Sequence, residues 1–260
     1  MKLTNKEYDA LPGIRRSDLW KINKTPLHFK WAMEHKEDTE DKPKALLFGS
    51  AVHKYVLERE DFEKEYAVVP KFDRRTKQGK ADYEAFIQDH EGLEFIDEED
   101  FQKIQGMAQA IESNPEAIMW LTGDHEEAFQ WLDIHTGEAC KVKTDVITEH
   151  NGKPYIVDYK TTDSCEDGHF ERSCRKYGYD FQAGMYVEGV GYNTLEEYGF
   201  VFVAQEKTEP YAVRVYYATE EFIEQGKTKF HNLLQKYHNR KETDTWEGYE
   251  SVELWGDNYE

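Results

Sequence analysis

Residues 140–162, CKVKTDVITEHNGKPYIVDYKTT, contain two short runs of alternating apolar and polar residues that flank an Asn-Gly pair. Such alternation is typical of β-strands, and Asn151-Gly152 between two such runs is a strong signal for a hairpin. We expect the loop to be longer than two residues, because Lys153-Pro154 follows the glycine. The segment therefore predicts two neighbouring strands, Cys140–Thr148 and Tyr155–Lys160.

Two acids and a lysine are brought together by this hairpin. Residues two apart on a strand point to the same face, so the side chains of Asp158 and Lys160 project together, and Asp145 on the other strand can reach the same end. Carboxylate oxygens bind Mg²⁺ or Mn²⁺, which can activate water for phosphodiester cleavage while a lysine stabilises the developing negative charge. The same pattern also occurs on solvated strands with weak ion pairs. The motif alone leaves both interpretations open.

The first 120 residues predict mainly helices. Ser17 is a candidate N-cap, and Pro26 can open the next helix at its first turn. Apolar residues recur at spacings of three and four over residues 44–60, and another helix is expected over residues 98–113, before Asn114-Pro115. The front of the chain is therefore expected to be a helical part that precedes the hairpin.

The second half predicts strands that alternate with helices. The chain contains no internal repeat and no long Gly, Ser or Pro linker. We expect an α/β fold with a mixed β-sheet flanked by helices, in one domain over residues 1–241 (helical front 1–120, core 121–241) and an acidic tail over residues 242–260. The remaining predicted strands are 126–134, 198–205 and 211–217, and the predicted helices are 166–176, 179–190 and 219–237.

The charge of the chain is strongly acidic but unevenly distributed. Its 260 residues carry 33 Lys and Arg against 53 Asp and Glu, a net charge of −20, and 38% are apolar, which argues against wholesale disorder. A charge of −20 by itself speaks against binding nucleic acid. However, residues 71–80 hold five bases and one acid, and residues 227–241 hold five bases and no acid. A non-catalytic acidic protein, a DNA mimic or an adaptor whose tail docks through Trp246, Tyr249, Trp255 and Tyr259, is therefore the alternative to an enzyme.

The sequence also predicts a location and several absences. The first residues contain no apolar signal region, and no apolar run approaches the length of a membrane helix, so we expect a cytoplasmic protein without a membrane partner. Three cysteines without paired spacing argue against a disulfide framework and cannot supply the four ligands of an iron–sulfur cluster. The spacing of Cys165, His169 and Cys174 matches no standard zinc finger, so we expect no zinc.

Two further segments contain candidate site residues. His53 lies in a predicted helix beside the small residues Gly49 and Ala51, although a lone histidine is more often structural than a metal ligand. Gln182 and Tyr186 are four residues apart and so share one face of a predicted helix. They can hold a phosphate or a water molecule, but ordinary amphipathic packing explains the spacing equally well.

Together these residues resemble a known family. The DYK sequence, the upstream Asp145 and the Gln182-x3-Tyr186 pair are similar to the PD-(D/E)xK nuclease core in the branch with a QxxxY motif, and more specifically to RecE-like exonuclease domains of phages and prophages. The similarity covers nearly the whole chain in collinear order. It is carried by YDALPGIRRSDLWKINKTPLHFKW, FGSAVHKYVLE, PKFDRRTKQGKADYEAF, CKVKTDVI, YIVDYKTT and QAGMY.

The resemblance implies a role for each matching residue. It implies metal binding by the side chains of His53, Asp145 and Asp158 and by the main-chain carbonyl of Tyr159, with Lys160 as the catalytic lysine. Gln182 and Tyr186 would line the active site near the scissile phosphate. Either Glu126 or Glu127 would be an acidic residue at the start of the sheet. Thr144 stands where the family usually has proline, a departure at a tolerant position.

Basic residues are candidates for contacts with DNA phosphates. Arg74, Arg75 and Lys80 can donate to phosphate oxygens, although the same stretch also fits a solvated loop. Arg172 and Arg175, just before the QAGMY helix, are weaker candidates for the same role.

The resemblance also implies an activity and partners. It implies an exonuclease that uses Mg²⁺, with Mn²⁺ as a substitute, and that degrades linear double-stranded DNA in the 5′→3′ direction. The product, 3′ single-stranded DNA, would pass to a RecT-like annealing protein in the cytoplasm of a bacterial host, and the nuclease would form a homo-oligomeric ring around DNA. The motif itself predicts only metal-assisted phosphodiester cleavage, and a nuclease of another polarity stays an alternative.

Overall fold

The computed structural model describes residues 1–35 and 43–252. Eleven α-helices and ten β-strands are found in these residues. Helices dominate the first 121 residues, and seven of the ten strands lie from residue 124 onward, together with the last three helices. The helices are α1 Asn5–Ala10, α2 Arg16–Leu19, α3 Pro26–Glu34, α4 Lys44–Leu57, α5 Phe62–Glu65, α6 Lys77–Asp89, α7 Glu98–Glu112, α8 Pro115–Leu121, α9 His169–Tyr177, α10 Tyr179–Thr194 and α11 Glu220–Thr243. The strands are β1 Ile14–Arg15, β2 Tyr66–Val69, β3 Glu94–Asp97, β4 Asp124–His125, β5 Ala128–Leu132, β6 Ala139–Lys143, β7 Val146–His150, β8 Lys153–Thr162, β9 Gly199–Glu206 and β10 Val213–Tyr217.

A mixed five-stranded sheet forms the centre of the fold, in the order β10-β9-β8-β7-β4. Strands β8 and β9 are parallel, whereas β7 pairs with β8, and β10 with β9, in the antiparallel sense. A smaller sheet has the order β1-β6-β5, and β2 pairs with β3. The predicted α/β fold, a mixed sheet flanked by helices with a helical front, is confirmed.

Helices cover both faces of the central sheet. On one face, Phe200 and Phe202 of β9 pack in a cluster with Phe181 of α10 and Phe230 of α11, all 2% exposed or less. The opposite face packs in a second cluster, against α4, α7 and α8. Burial of one such side chain contributes about 1.5–3 kcal/mol, so the two clusters stabilise the sheet from both sides. Alternate residues of β8 and β9 consequently face different helices.

The hairpin at Asn151-Gly152 is tighter than the sequence predicted. Its loop has two residues, because His150 pairs directly with Lys153. Both turn residues have positive φ, 53° for Asn151 and 75° for Gly152, as a type I′ turn requires. Pro154 is accommodated because it precedes the residues of β8 that pair with β9, where a neighbouring strand lies on one side only.

The single strand predicted over residues 140–148 is also wrong, because the chain changes sheets within it. Strand β6 belongs to the smaller sheet and β7 to the central one, and Thr144 and Asp145 lie in the break between them. The break is held by backbone bonds from Thr144 N–H to the Glu127 carbonyl, 2.9 Å, and from Glu126 N–H to the Asp145 carbonyl, 3.1 Å. Asp145 therefore lies in a non-regular segment between two sheets.

The helical front contains further differences from prediction. Ser17 is not an N-cap, because α2 starts one residue earlier, directly after strand β1. The short strands β1, β2 and β3 were not predicted, since each has only two to four residues. Pro26 opens α3, and α7 begins at the predicted residue, as expected. Within the described ranges, no helix is both long and apolar enough to cross a membrane.

The end of α11 packs against α3. The predicted boundary at residue 241 falls inside α11, which continues to Thr243. Beyond the helix, Trp246 stacks on Phe29 of α3 with ring centroids 5.6 Å apart, and the edge of His28 meets Tyr249. Trp255 and Tyr259, which the sequence offered as docking residues, lie outside the described residues.

Candidate active site

Asp158 and Lys160 point together from β8, as residues two apart on a strand must. Lys160 Nζ lies 2.6 Å from Asp158 Oδ2, and the side-chain amide of Gln182 donates to Asp158 Oδ1. The Asp158 side chain is 3% exposed, and its buried Oδ2 makes no hydrogen bond of acceptable geometry, even with the lysine so near. This acid therefore has one oxygen fixed by glutamine and one that faces the Lys160 ammonium.

Asp145 faces the same point from the break between β6 and β7. Its Oδ2 accepts a hydrogen bond of 2.8 Å from the backbone N–H of Tyr159 and lies 3.7 Å from His53 Nδ1. Burial raises the pKa of Asp145 well above its usual value, and the nearby Asp158 adds to this, whereas Lys160 opposes it. Two carboxylates therefore converge here beside one lysine.

His53 approaches the acids from α4. Its ring lies against that of Tyr159, with centroids 4.9 Å apart. Burial, with a further contribution from Lys160, lowers the pKa of His53 to about 4. The imidazole is therefore neutral at neutral pH, which is the form that coordinates a metal ion. Gly49 leaves open space one helical turn away, since nothing lies within 4 Å of the position where a Cβ would be.

Glu126 and Glu127 differ clearly in their surroundings. Glu126 has a φ of 58°, lines a cleft of about 410 Å³ together with His53, and pairs with Lys143. The carboxylate of Glu127 pairs instead with the amino group of Met1. Of the two candidate acids, Glu126 rather than Glu127 therefore lies on the side of the cleft where His53 lies.

Gln182 and Tyr186 both lie on α10, one turn apart and therefore on the same side of the helix. Gln182 is buried and holds Asp158, whereas Tyr186 is half-buried. Burial raises the pKa of Tyr186 well above its usual value, and the charges of Asp158 and Asp145 contribute. The tyrosine is therefore neutral and lies within electrostatic reach of both acids.

The donor types of the cluster, carboxylate oxygen and imidazole nitrogen, are ones that bind divalent cations. Two carboxylates and a neutral imidazole from three separate elements lie close together, and the buried Oδ2 of Asp158 lies 2.6 Å from the Lys160 ammonium. The residues that would hold the ion are His53, Asp145 and Asp158. The main-chain carbonyl of Tyr159 stays a predicted ligand. An ion bound there would activate water and stabilise charge on the leaving oxygen.

Two residues beside this cluster were missed by the sequence prediction. Arg16 donates from Nη2 to the carbonyls of Tyr177 and Gly178, while its buried Nε has no partner. Burial lowers the pKa of Arg16, and Tyr186 and then Asp158 oppose that effect, so the guanidinium lies within electrostatic reach of the acids. Tyr179 lies under Lys160, with Nζ 5.2 Å from the ring centroid. In the sequence, Arg16 is one of two adjacent arginines and Tyr179 lies just before the QxxxY residues. Neither position forms a pattern that marks it as a site residue.

The predicted DNA-binding residues lie on the surface, outside the cluster. The Arg75 side chain is 91% exposed and pairs with Asp73, and Arg74 stacks on Tyr83, 4.3 Å from its ring centroid. Lys80 is exposed on α6, and Arg172 and Arg175 are exposed on α9. Their described contacts are local, so the geometry neither joins them to the acids nor excludes them from a DNA path.

A larger cavity of about 730 Å³ lies elsewhere, between α3, the end of α11 and the residues that follow it. Phe29, Met33, Tyr237 and Trp246 are among its lining residues, and none of the predicted catalytic residues is. Size alone therefore does not locate the chemistry of this protein. The candidate site is instead chosen by its converging acids.

Comparisons with known proteins agree with this geometry. A family model described as "PDDEXK-like domain of unknown function (DUF3799)" matches residues 16–255. Among solved structures, the chain is similar to a "Putative exonuclease" from Eubacterium rectale, with a TM-score of 0.66, 19% identity, and coverage of 94% of this chain and 88% of that one. A second structure, SSO0001, has 14% identity, covers 82% and 86% of the two chains and reaches a TM-score of only 0.29, which supports no inference. No curated protein matches significantly.

Proposed function

The chain belongs to the family of PDDEXK-like domains and hence to the PD-(D/E)xK nuclease superfamily, and on that premise we propose that it is a divalent-metal-dependent exodeoxyribonuclease. The carrying observation is the convergence of the buried Asp158, which contacts Lys160, with Asp145 and His53. The similar structure from Eubacterium rectale is also described as an exonuclease. Mg²⁺ is the proposed metal, with Mn²⁺ as a substitute.

Each residue has a part in the proposed reaction. His53, Asp145 and Asp158 would hold the ion, and Gln182 fixes the orientation of Asp158 by donating to its Oδ1. Lys160 provides a positive charge at the reacting phosphate, where negative charge increases in the transition state. Glu126, released from Lys143, accepts a proton from water.

Arg16 and Tyr186 are assigned to the substrate rather than to the ion. A guanidinium donates to phosphate oxygens in a fork, and that of Arg16 is held rigidly by two backbone carbonyls. The neutral hydroxyl of Tyr186 can donate to a phosphate oxygen on the same side of the acids. Both are therefore proposed to position the scissile phosphate.

The finer proposal follows the resemblance to RecE-like domains. It is degradation of linear duplex DNA in the 5′→3′ direction, which leaves 3′ single-stranded DNA for a RecT-like annealing protein in the bacterial cytoplasm. A homo-oligomeric ring would hold the duplex, with Arg74, Arg75, Lys80, Arg172 and Arg175 on its phosphates. A nuclease of another polarity is the alternative within the superfamily.

The non-catalytic DNA mimic is the less favoured function. A mimic presents its acids on the surface, where a basic partner can contact them, whereas Asp158 is 3% exposed and paired with a lysine. Burying carboxylates beside one another costs stability and is common at catalytic sites. The geometry therefore favours an enzyme.

The test is degradation of linear duplex DNA by protein freed of metal and then supplied with Mg²⁺. Separate labels at the 5′ and 3′ ends of one strand report polarity, and a circular duplex reports any need for an end. Lys160→Ala is compared with Lys153→Ala, a change of an exposed lysine on the same strand. We expect loss of activity in the first variant and retention in the second. Equal rates in wild type and Lys160→Ala, or no degradation by either, would refute the proposal.

Binding of DNA is tested by measuring how its affinity depends on salt concentration. Contacts between basic side chains and several phosphates release counterions, so the logarithm of affinity falls as the logarithm of salt concentration rises. Replacement of Arg74 and Arg75 by alanine should reduce that slope by about 1 for each phosphate that the variant no longer binds. A slope that stays unchanged would remove both arginines from the proposed DNA path.

A further inference from the structure

A second cluster of metal-ligating side chains lies on the far side of α10. It consists of Asp133, directly after β5, Glu188 on α10 and His231 on α11. One ligand atom from each residue lies within 4.8 Å of the other two. The three elements come from distant parts of the chain and meet at this point.

The contacts place the imidazole of His231 between the two acids. His231 Nε2 lies 2.9 Å from Glu188 Oε2, and His231 Nδ1 lies 3.9 Å from Asp133 Oδ2. The other oxygen of Asp133 accepts from the N–H of His135, at 3.2 Å, and from the N–H and hydroxyl of Thr136, at 2.7 Å each. Asp133 is thus anchored by one oxygen, while the second faces the imidazole beyond hydrogen-bonding distance.

A second imidazole borders the same place. The ring of His135 meets the ring of His231 edge-on, with centroids 5.9 Å apart. No hydrogen bond of the His135 ring is found within the described part of the chain. The cluster and its margin therefore offer two carboxylates and two imidazoles, a mixed oxygen and nitrogen set rather than a patch of acids.

The charges of the cluster are incompletely balanced. The Asp133 side chain is 3% exposed and that of Glu188 is 26% exposed. Burial raises the pKa of Glu188, and Asp133 adds to this, whereas His231 opposes it. Lys227 also faces Glu188 at longer range, but its ammonium pairs with Glu224 at 2.7 Å. A cation placed among the three side chains would relieve this repulsion.

This cluster is separate from the candidate active site. Glu188 is two residues from Tyr186, which places it about 200° around the helix from that residue. Near it, Gly189 packs so tightly on Trp131 of β5 that a Cβ there would lie 2.4 Å from the indole ring. The body of α10 therefore lies between the two clusters.

We propose that Asp133, Glu188 and His231 bind one transition-metal ion, of which Zn²⁺ suits the ligands best, with His135 available as a fourth ligand. Zinc accepts carboxylate oxygen together with imidazole nitrogen, whereas Mg²⁺ prefers oxygen alone. The ion would fasten the turn after β5 to α10 and α11. The sequence led us to expect no zinc because its cysteine pattern was unsuitable, while these ligands are spread over about 100 residues.

The first test measures binding of Zn²⁺ by calorimetry to protein freed of metal with a chelator. Asp145→Asn/Asp158→Asn serves as the background, since it removes two predicted ligands of the other site. We expect one equivalent of Zn²⁺ to remain in that background. Adding Glu188→Gln or His231→Gln should weaken its affinity at least tenfold, whereas His238→Gln, on the same helix, should not change it. One equivalent retained with unchanged affinity in the Glu188 and His231 variants would overturn the proposal.

The second test does not depend on the folding of any variant. Crystals of the wild-type protein soaked in ZnCl₂ are measured on both sides of the zinc absorption edge. An anomalous peak between Asp133, Glu188 and His231 is the expected result. Zinc that appears only at His53, Asp145 and Asp158, or only at exposed histidines, would refute the second site. Both tests omit DNA, so their outcome is independent of the proposed nuclease activity.

Discussion

The buried acids on the two sides of α10 differ in their hydrogen bonds. On one face, Asp158 has an oxygen without a hydrogen bond, and Asp145 lies beside it. On the other, Asp133 has an oxygen that accepts three hydrogen bonds from a turn. The second oxygen of Asp133 also makes no hydrogen bond to His231, so the two acids differ in their surroundings: Asp158 lies beside a second carboxylate and a lysine, whereas Asp133 is anchored by a turn. Equal residue types around one helix thus serve different purposes, and matched substitutions can separate them.

The largest difference is expected in DNA cleavage. Asp158→Asn should lower the rate on linear duplex DNA at least about 10³-fold, since it removes a charged ligand at the reacting phosphate. Asp133→Asn on the other face should change the Mg²⁺-dependent rate less than about threefold, once the folded fraction is corrected for. Initial rates of nucleotide release measure both effects. Similar losses in the two variants would mean that the faces are not functionally distinct.

A second prediction concerns the packing that both faces share. Gly184 of α10 meets α11 so closely that a Cβ there would lie 2.2 Å from the Lys227 backbone nitrogen. Gly184→Ala must therefore push the helices apart, and overpacking of this kind costs about 1–3 kcal/mol. We expect the free energy of unfolding in urea to fall by about that amount.

Gly49→Ala is the matched control for this prediction, because open space surrounds Gly49 and the change favours the helix. It should leave stability unchanged or raise it. If Gly184→Ala were as stable as Gly49→Ala, the close contact between α10 and α11 would be incorrect.

Much of the active-site face could be predicted from the sequence. Period-two alternation placed Asp158 and Lys160 on one side of a strand, and the four-residue spacing placed Gln182 and Tyr186 on one side of a helix. The break at Thr144-Asp145 could not be predicted, because KVKTDVI is a continuous β-forming run and only pairing with distant strands divides it. Local periodicity carries no information about which sheet a residue joins.

The cluster on the other side of α10 could not be predicted from the sequence, for the same reason. Asp133, Glu188 and His231 form no spacing pattern, since each comes from a different element. The short strand β1 was missed because its two residues are extended only by pairing with Cys140 and Lys141. Ser17 was wrongly predicted as a cap since that pairing makes the helix begin at Arg16. Features that depend on long-range contacts need the fold first.

A third prediction uses the hairpin turn, which lies at the end of β7 and β8 away from the acids. Gly152 has a φ of 75°, and an alanine there costs about 1–2 kcal/mol. Gly152→Ala should therefore lower the free energy of unfolding by about that amount while the rate per folded molecule stays unchanged. Urea denaturation and initial rates measure the two quantities. A large loss of rate in the folded protein would show that the turn controls the register of the acids.

The smallest expected effect is a gain in stability at the active-site face. Because the pKa of Asp145 is raised above its usual value of 3.8, the folded protein favours the neutral carboxyl, and this favourable contribution is present below that value and lost as pH rises through the folded pKa. Asp145→Asn keeps an oxygen for the Tyr159 N–H and carries no charge. Without metal, the variant should therefore be more stable than wild type at pH 7, where burial and the neighbouring Asp158 disfavour the ionised form of Asp145.

The pH dependence makes this prediction specific. The advantage of Asp145→Asn should shrink as pH falls toward 4, where wild-type Asp145 is itself protonated, and should grow from there to neutral pH. Mg²⁺ should cancel the advantage by stabilising wild type alone. Asp133→Asn must show the opposite sign, because hydrogen bonds from Thr136 outweigh the effect of burial and lower the pKa of Asp133. Its loss of stability should be present at neutral pH and vanish in acid. If both variants moved stability in the same direction at pH 7, the two faces of α10 would not differ in the way that their hydrogen bonds indicate.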